Sequence, residues 1–300
     1  MTSGYTLLLL TVLVLAAAVP AGDDAEQHAR LKQYAWLQDY AESDAIVNRV
    51  PVPEGYERVD APAGSFADWL RHLPLKSGRP AVYLYNGKQK ANQDAHFAVI
   101  NIDVGDRDLQ QCADAVIRLR AEYLYSKGDY DAIHFNFTGG HRADFTRWAK
   151  GYRPVVTNNA VEWNASARED ASYASFRKYL IIVFAYAGSA SLSRELQPVE
   201  TISDMQIGDV FIKGGFPGHA AIVLDMAANP TTHKKVFLLA QSYMPAQDVH
   251  ILRNPANAES NPWYELDFGE RLRTPEWTFA AKELKRFAAT APHDAPGDAE

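Results

Sequence analysis

The sequence predicts an α+β domain in which helices pack on an antiparallel sheet. The first observation is a run of strand signals between Ile207 and Gln241. Val210–Ile212 ends in Gly214-Gly215, Ala220–Leu224 follows, and Val236–Ala240 comes after Asn229-Pro230-Thr231-Thr232, which can continue neither run. Such short connections imply a three-stranded antiparallel meander. The second observation is a pair of helical segments, about Leu109–Ser126 and Tyr173–Tyr186. The former carries an apolar stripe of Leu109, Cys112, Val116, Leu119 and Tyr123; the latter is apolar around most of its circumference and reads as buried. The third is composition: 47% hydrophobic and 11% aromatic over 300 residues, enough for a sizeable core.

Taken in order, Ala25–Glu42 reads as an amphipathic helix, with Leu31, Tyr34, Leu37 and Tyr40 about three apart. Pro51, Pro53, Gly55 and Pro62 enforce an extended, turn-rich stretch. Ser65 caps a short helix Phe66–Leu73, limited by Pro74. Val82–Tyr85 and Asn86-Gly87 form a strand and its turn, and Phe97–Val104 alternates as a further strand. Asp108 is the expected N-cap of the long helix, and Gly128 its stop. Ile133–Phe137 is a strand, Phe145–Gly151 a short helix, and Tyr152–Arg168 irregular and polar. Gly188 breaks the buried helix from a shorter piece, Ser189–Leu196. Val249–Leu252 is a strand, Trp263–Phe268 and Trp277–Phe279 add aromatic cover, and Ala280–Phe287 reads as a terminal helix.

Leu7–Val19 is apolar but too short to span a bilayer comfortably, and Val19-Pro20-Ala21 then Asp23-Asp24 follow. Residues 1–21 therefore read as a signal peptide, although Met1–Tyr5 lacks Lys and Arg; an uncleaved anchor is the alternative. The expected location is periplasmic or secreted, with no stable membrane span after cleavage. Residues 22–288 form one domain and 289–300, rich in Ala, Pro and Asp, a disordered tail. Cys112 is the single cysteine, so an exported monomer has no internal disulfide. A formal charge of −7 and no basic run argue against a nucleic-acid partner.

Side chains alternate along a strand, so His219, Ala221 and Val223 share a face, as do Phe237, Leu239 and Gln241. An even register brings Gln241 opposite or diagonal to His219; an odd one brings Ser242 instead. A histidine beside an amide is the base-plus-orienter half of a nucleophilic triad. Cys112 occupies roughly the first turn of its helix, where backbone N–H groups would lower a thiol pKa, while Asp106, Asp108 and Asp114 oppose this. Ser189 and Ser191 are the alternative nucleophiles, and a buried inert cysteine with a merely structural His219 and Gln241 is the plainer reading.

The order Gly-Asp-Val, then Gly-His-Ala-Ala-Ile-Val, then a strand ending in a polar residue resembles papain-like cell-wall peptidases and amidases of the NlpC and CHAP kind. That resemblance covers about 35 residues. It implies a papain-like core, with His219 as base, Gln241 as orienter and Cys112 as nucleophile, acting on an amide or peptide bond of a cell-wall polymer. The chain departs from the pattern in that 97 residues separate Cys112 from Asp209. Longer segments, Asp108–Tyr125 and Leu238–Gln247, resemble an uncharacterised bacterial family of unknown function.

The competing class is a non-catalytic envelope protein that binds glycan or peptide through an aromatic groove. Phe135–Gly140 with Asn136, Trp148 and Tyr152 would line it, and Asn136, Trp148 and Tyr243 are the expected substrate contacts. No cofactor or metal is expected: the histidines are scattered and no metal-ligand spacing or phosphate-cradling loop occurs.

Overall fold

The computed structural model describes residues 30–158, 160–256 and 262–289. The expected signal peptide and nearly all of the expected tail lie outside the described residues. Among those residues six α-helices accompany a nine-stranded antiparallel sheet, a mixed α/β architecture. The sheet runs in the order His96–Val99, His250–Leu252, Lys235–Gln241, His219–Ala228, Val210–Lys213, Leu284–Arg286, Gln197–Pro198. Glu57–Arg58 pairs with the His219 strand and Tyr264–Glu265 with the Lys235 strand. The expected meander is therefore the centre of the sheet.

Alternation along the meander buries two faces. Val210, Ile212, Ala220, Ile222, Leu238 and Ala240 join the core beneath the helices. Phe211, Ala221, Val223, Phe237 and Leu239 join a second core closed by Leu272, Phe279 and Leu284. Strands covered on both faces read as continuous apolar runs, which is why this segment stood out in the sequence.

The helix Cys112–Ser126 begins three residues later than the expected Asp108 cap allows, with Gln111 as N-cap. Asp114 Oδ2 accepts from the Gln111 N–H at 3.1 Å, and Asp108 serves the loop instead. Cys112 is thus the first helical residue. Helix Phe66–Arg71 starts at Ser65, whose hydroxyl accepts from Asp68 N–H, as expected.

Three expectations are corrected. The helix over Ala25–Glu42 is not continuous: from Lys32 the chain makes turns and one short 3-10 helix, Glu42–Asp44. Tyr34 stacks on Trp69 and Tyr40, and its hydroxyl donates to Trp69 C=O. Packing Tyr34 between Trp69 and Tyr40 outweighs the local helix preference. Tyr152–Thr157 and Ala160–Ala165 are not irregular but a two-stranded hairpin. Arg147 lies over both Tyr152 and Trp163, covering its apolar side with a cation. The end of the chain is not a helix. Thr278–Ala280 pairs with Arg271–Arg273, and Leu284–Arg286 adds a strand to the main sheet. There Leu284 is buried and Arg286 grips Asp209 through both carboxylate oxygens, at 2.6 and 2.8 Å. Asp209 also accepts the Gln206 N–H, fixing the turn before Val210.

Candidate functional site

His219 opens its strand, and local sterics set where it stands. A Cβ on Gly218 would lie 2.2 Å from Ser189 Oγ and 2.4 Å from Gly215 C=O, so only glycine lets the chain enter the strand this close to helix Ser189–Glu195. The imidazole is buried, 2% exposed, between Tyr243, Trp277 and Phe279.

Register decides what faces it. Leu238 pairs with Asp225 but Leu239 pairs with Val223, so Leu224 is an extra residue in the His219 strand. Beyond this bulge Ala240 pairs with Ile222, and continuing the register sets Tyr243 opposite His219 and Gln241 diagonal to it. Gln241 Oε1 lies 2.7 Å from His219 Nε2. Ser242 faces away, fully buried, its hydroxyl 3.0 Å from Gln110 C=O and 2.9 Å from Gln247 C=O.

That same Ser242 contact docks the start of the Cys112 helix against the strand end. Asp108 accepts from Ala246 N–H at 2.7 Å, and Arg118 reaches Gln110 Oε1 at 2.6 Å. Cys112 is thereby brought to a cavity of about 450 Å³ that His219 also lines. The rest of the wall includes Ser189, Tyr243, Trp277 and Asp114, with Phe216 and Met244 projecting at the rim. Two buried polar atoms of wall residues have no partner in the protein: Asp114 Oδ1 and Trp277 Nε1.

Burial dominates the electrostatics. The Cys112 thiol is pushed up to about 11, first by desolvation and then by the Asp114 carboxyl; backbone N–H groups of Ala220, Ala113 and Cys112 oppose this and lose. The helix-start effect expected to lower the thiol is therefore present but outweighed. His219 is pushed down to about 4 by burial, against the opposing Gln241 bond and Glu276 charge. The resting pair is a neutral thiol and a neutral imidazole.

Behind Gln241 lies a polar chain. Its Nε2 donates to Glu276 Oε2 at 2.9 Å and lies 3.4 Å from His250 Nε2. Glu276 in turn forms a salt bridge with Lys90, a residue only 8% exposed. Neither Glu276 nor Lys90 stood out in the sequence: both are single charged residues in polar surroundings, and only the fold sets them side by side.

Of the other expected site residues, Tyr243 joins the cavity, its ring 4.7 Å from that of His219. Trp148 does not: it is buried in the core, donating to Ser175 Oγ at 3.1 Å beneath Arg153. Asn136 sits on the separate His134–Asn136 strand and is absent from the cavity wall; its N–H donates to Glu195. Ser191 is a buried cap whose hydroxyl exchanges hydrogen bonds with Gly188. Ser189 lines the cavity and donates to Gly215 C=O at 3.2 Å. Among the described residues no group of three or more His, Cys, Asp or Glu is placed to hold a metal ion, and no helix is long and apolar enough to cross a membrane.

The fold and this cavity define a class: helices on an antiparallel sheet, with a buried histidine–amide pair at a strand start and a thiol at a helix start. Residues 46–286 match the family described as domain of unknown function 4846, and the chain belongs to it. No curated protein and no solved structure matches the chain. The segments Asp108–Tyr125 and Leu238–Gln247 dock together through Ser242, Asp108 and Ala246.

Proposed function

We propose that the cavity is the active site of a papain-like thiol hydrolase that cleaves an amide or peptide bond, in a cell-wall peptide of the envelope. The observation that carries this reading is the 2.7 Å His219–Gln241 hydrogen bond in a cavity that also holds the only thiol of the chain. Gln241 engages Nε2, which leaves Nδ1 of the same ring free to take a proton. With the thiol high and the imidazole low, a standing thiolate–imidazolium pair is disfavoured. Instead, Nδ1 removes the thiol proton as sulfur attacks the carbonyl carbon, and returns it to the leaving amine as the tetrahedral intermediate collapses. Water then hydrolyses the thioester by the same route. The unpartnered Trp277 indole N–H suits a substrate carbonyl, and the Ala220 N–H beside the sulfur offers a second donor.

Export follows from the apolar Leu7–Val19 segment and the acidic residues after it, which suit a periplasmic or secreted protein. The aromatic-groove binding reading is weakened at one of its residues, Trp148, which is buried in the core.

The test is digestion of purified peptidoglycan. Wild type and Ser189→Ala should release new amino groups, and Cys112→Ala and His219→Ala should not. Equal release by Cys112→Ala ends the proposal. Because Cys112 is the single cysteine, its alkylation by iodoacetamide can be followed by mass alone. The rate should climb with pH toward about 11 rather than level off below pH 8.5.

A further inference from the structure

Gln241 could face His219 with either its oxygen or its NH2 group, and only one choice leaves the right imidazole nitrogen bare. Two neighbours on opposite elements bear on that choice. Glu276, on the turn between Arg271–Arg273 and Thr278–Ala280, is 2.9 Å from Gln241 Nε2. Lys90, from a different part of the chain, forms a salt bridge with that carboxylate, and Asn92 Nδ2 lies 3.3 Å from its other oxygen. An ammonium has donors only, so the carboxylate it engages is held as an acceptor. The second neighbour is His250, fully buried, whose Nδ1 is 2.8 Å from Asp248 C=O. A carbonyl accepts only, so Nδ1 carries the proton and Nε2 is bare, 3.4 Å from Gln241 Nε2.

Both neighbours therefore demand the NH2 group of Gln241. Its oxygen is left to His219, and an oxygen can only accept, so His219 must be protonated on Nε2.

We propose that Glu276, clamped by Lys90, is a positioning residue that locks the Gln241 amide and thereby fixes the Nε2–H tautomer of His219, leaving Nδ1 as the base. The role of Nδ1 as base rests on the hydrolase reading above; the tautomer does not. The hairpin that carries Glu276 also lays Trp277 against the imidazole, ring centroids 5.2 Å apart, so one element orients and covers the base.

The experiment is nitrogen NMR of histidine-labelled protein at pH 7, with kinetics in parallel. Wild type should show His219 with a protonated Nε2 and a bare Nδ1; the reverse pattern overturns the proposal whatever any variant does. Glu276→Gln keeps an acceptor oxygen for Gln241 and should retain the tautomer. Glu276→Leu removes it, and the Nε2–H form should give way to a mixture, with kcat falling roughly 10- to 100-fold and KM little changed. An unchanged tautomer in Glu276→Leu, with only a lower melting temperature, assigns Glu276 a merely structural role and also overturns it. A protein inert on peptidoglycan whose tautomer responds as described refutes the hydrolase reading alone.

Discussion

The ring of Tyr243 lies 4.7 Å from that of His219 because the strand carrying His219 holds one residue more than its partner requires. Before the bulge, partner positions are Leu238 with Asp225; after it, Leu239 with Val223. Without Leu224 as the extra residue, Ser242 and not Gln241 would share the face of His219, since side chains alternate with period two. A histidine–amide pair here thus depends on a backbone irregularity at Leu224, five residues along the strand from His219.

Acid should unfold this protein through its buried histidines. His219 is held at about 4 and His250 at about 3, both by burial. An unfolded imidazole near 6.5 binds more protons than these do, so stability falls as pH drops from about 6.5 to about 3 and the histidine contribution levels off below that. His219 alone contributes on the order of 3 kcal/mol between pH 7 and pH 4. Glu122 opposes this: burial raises its carboxyl to about 7, so its contribution declines as pH rises from about 4.5 through 7. Urea unfolding at half-unit pH steps should show the acid limb, and His250→Gln should make it shallower by about one proton.

Asp225 should be the costliest surface-remote charge to remove. It is 0% exposed and accepts from Arg58 Nε at 2.7 Å and Arg71 Nε at 2.8 Å, joining the Pro51–Val59 stretch and helix Phe66–Arg71 to the sheet. Asp225→Ala strands two partly buried cations and should cost about 3–5 kcal/mol; Asp225→Asn should cost less. Equilibrium denaturation measures both, and a loss under about 1 kcal/mol for the alanine variant contradicts the assignment.

Gly218→Ala should disturb the entry to the His219 strand. The added methyl meets Ser189 Oγ, Gly215 C=O and Lys213 C=O, all within 2.8 Å. Two of the three are backbone, so Ser189→Ala in the same chain should not restore stability. The expected loss is about 1–3 kcal/mol, together with loss of peptidoglycan cleavage. Gly188→Ala, where nothing lies within 4 Å of the added atom, is the control and should stay within about 0.5 kcal/mol.

Much of the fold was legible because the signals were local. Meander strands buried on both faces give apolar runs and Ser65 marks a cap; the Tyr173–Tyr186 helix, read as buried from its mostly apolar circumference, buries one face through Phe176, Tyr179, Leu180 and Val183. The misread segments are those whose conformation answers to distant partners. Tyr34 packs on Trp69 with Tyr40 stacked on Tyr34, and Leu284–Arg286 lies extended because Phe211 and Asp209 pair with it, despite a helix-favouring composition. Within the site, His219 and Gln241 could be named from strand alternation and resemblance. Glu276, Lys90 and Trp277 carried no comparable mark, and Trp148 looked like a binding residue until burial placed it in the core.

By itself the sequence determined that His219 opens a strand, that Gln241 closes the next, and that one thiol stands near a helix start, because periodicity and turn residues act over a few positions. Only the tertiary structure decided that Gln241 rather than Ser242 meets the imidazole, that Cys112 reaches the same cavity, and that burial raises the thiol and lowers the histidine. Strand register and desolvation are sums over contacts remote in the chain, and no local pattern encodes them.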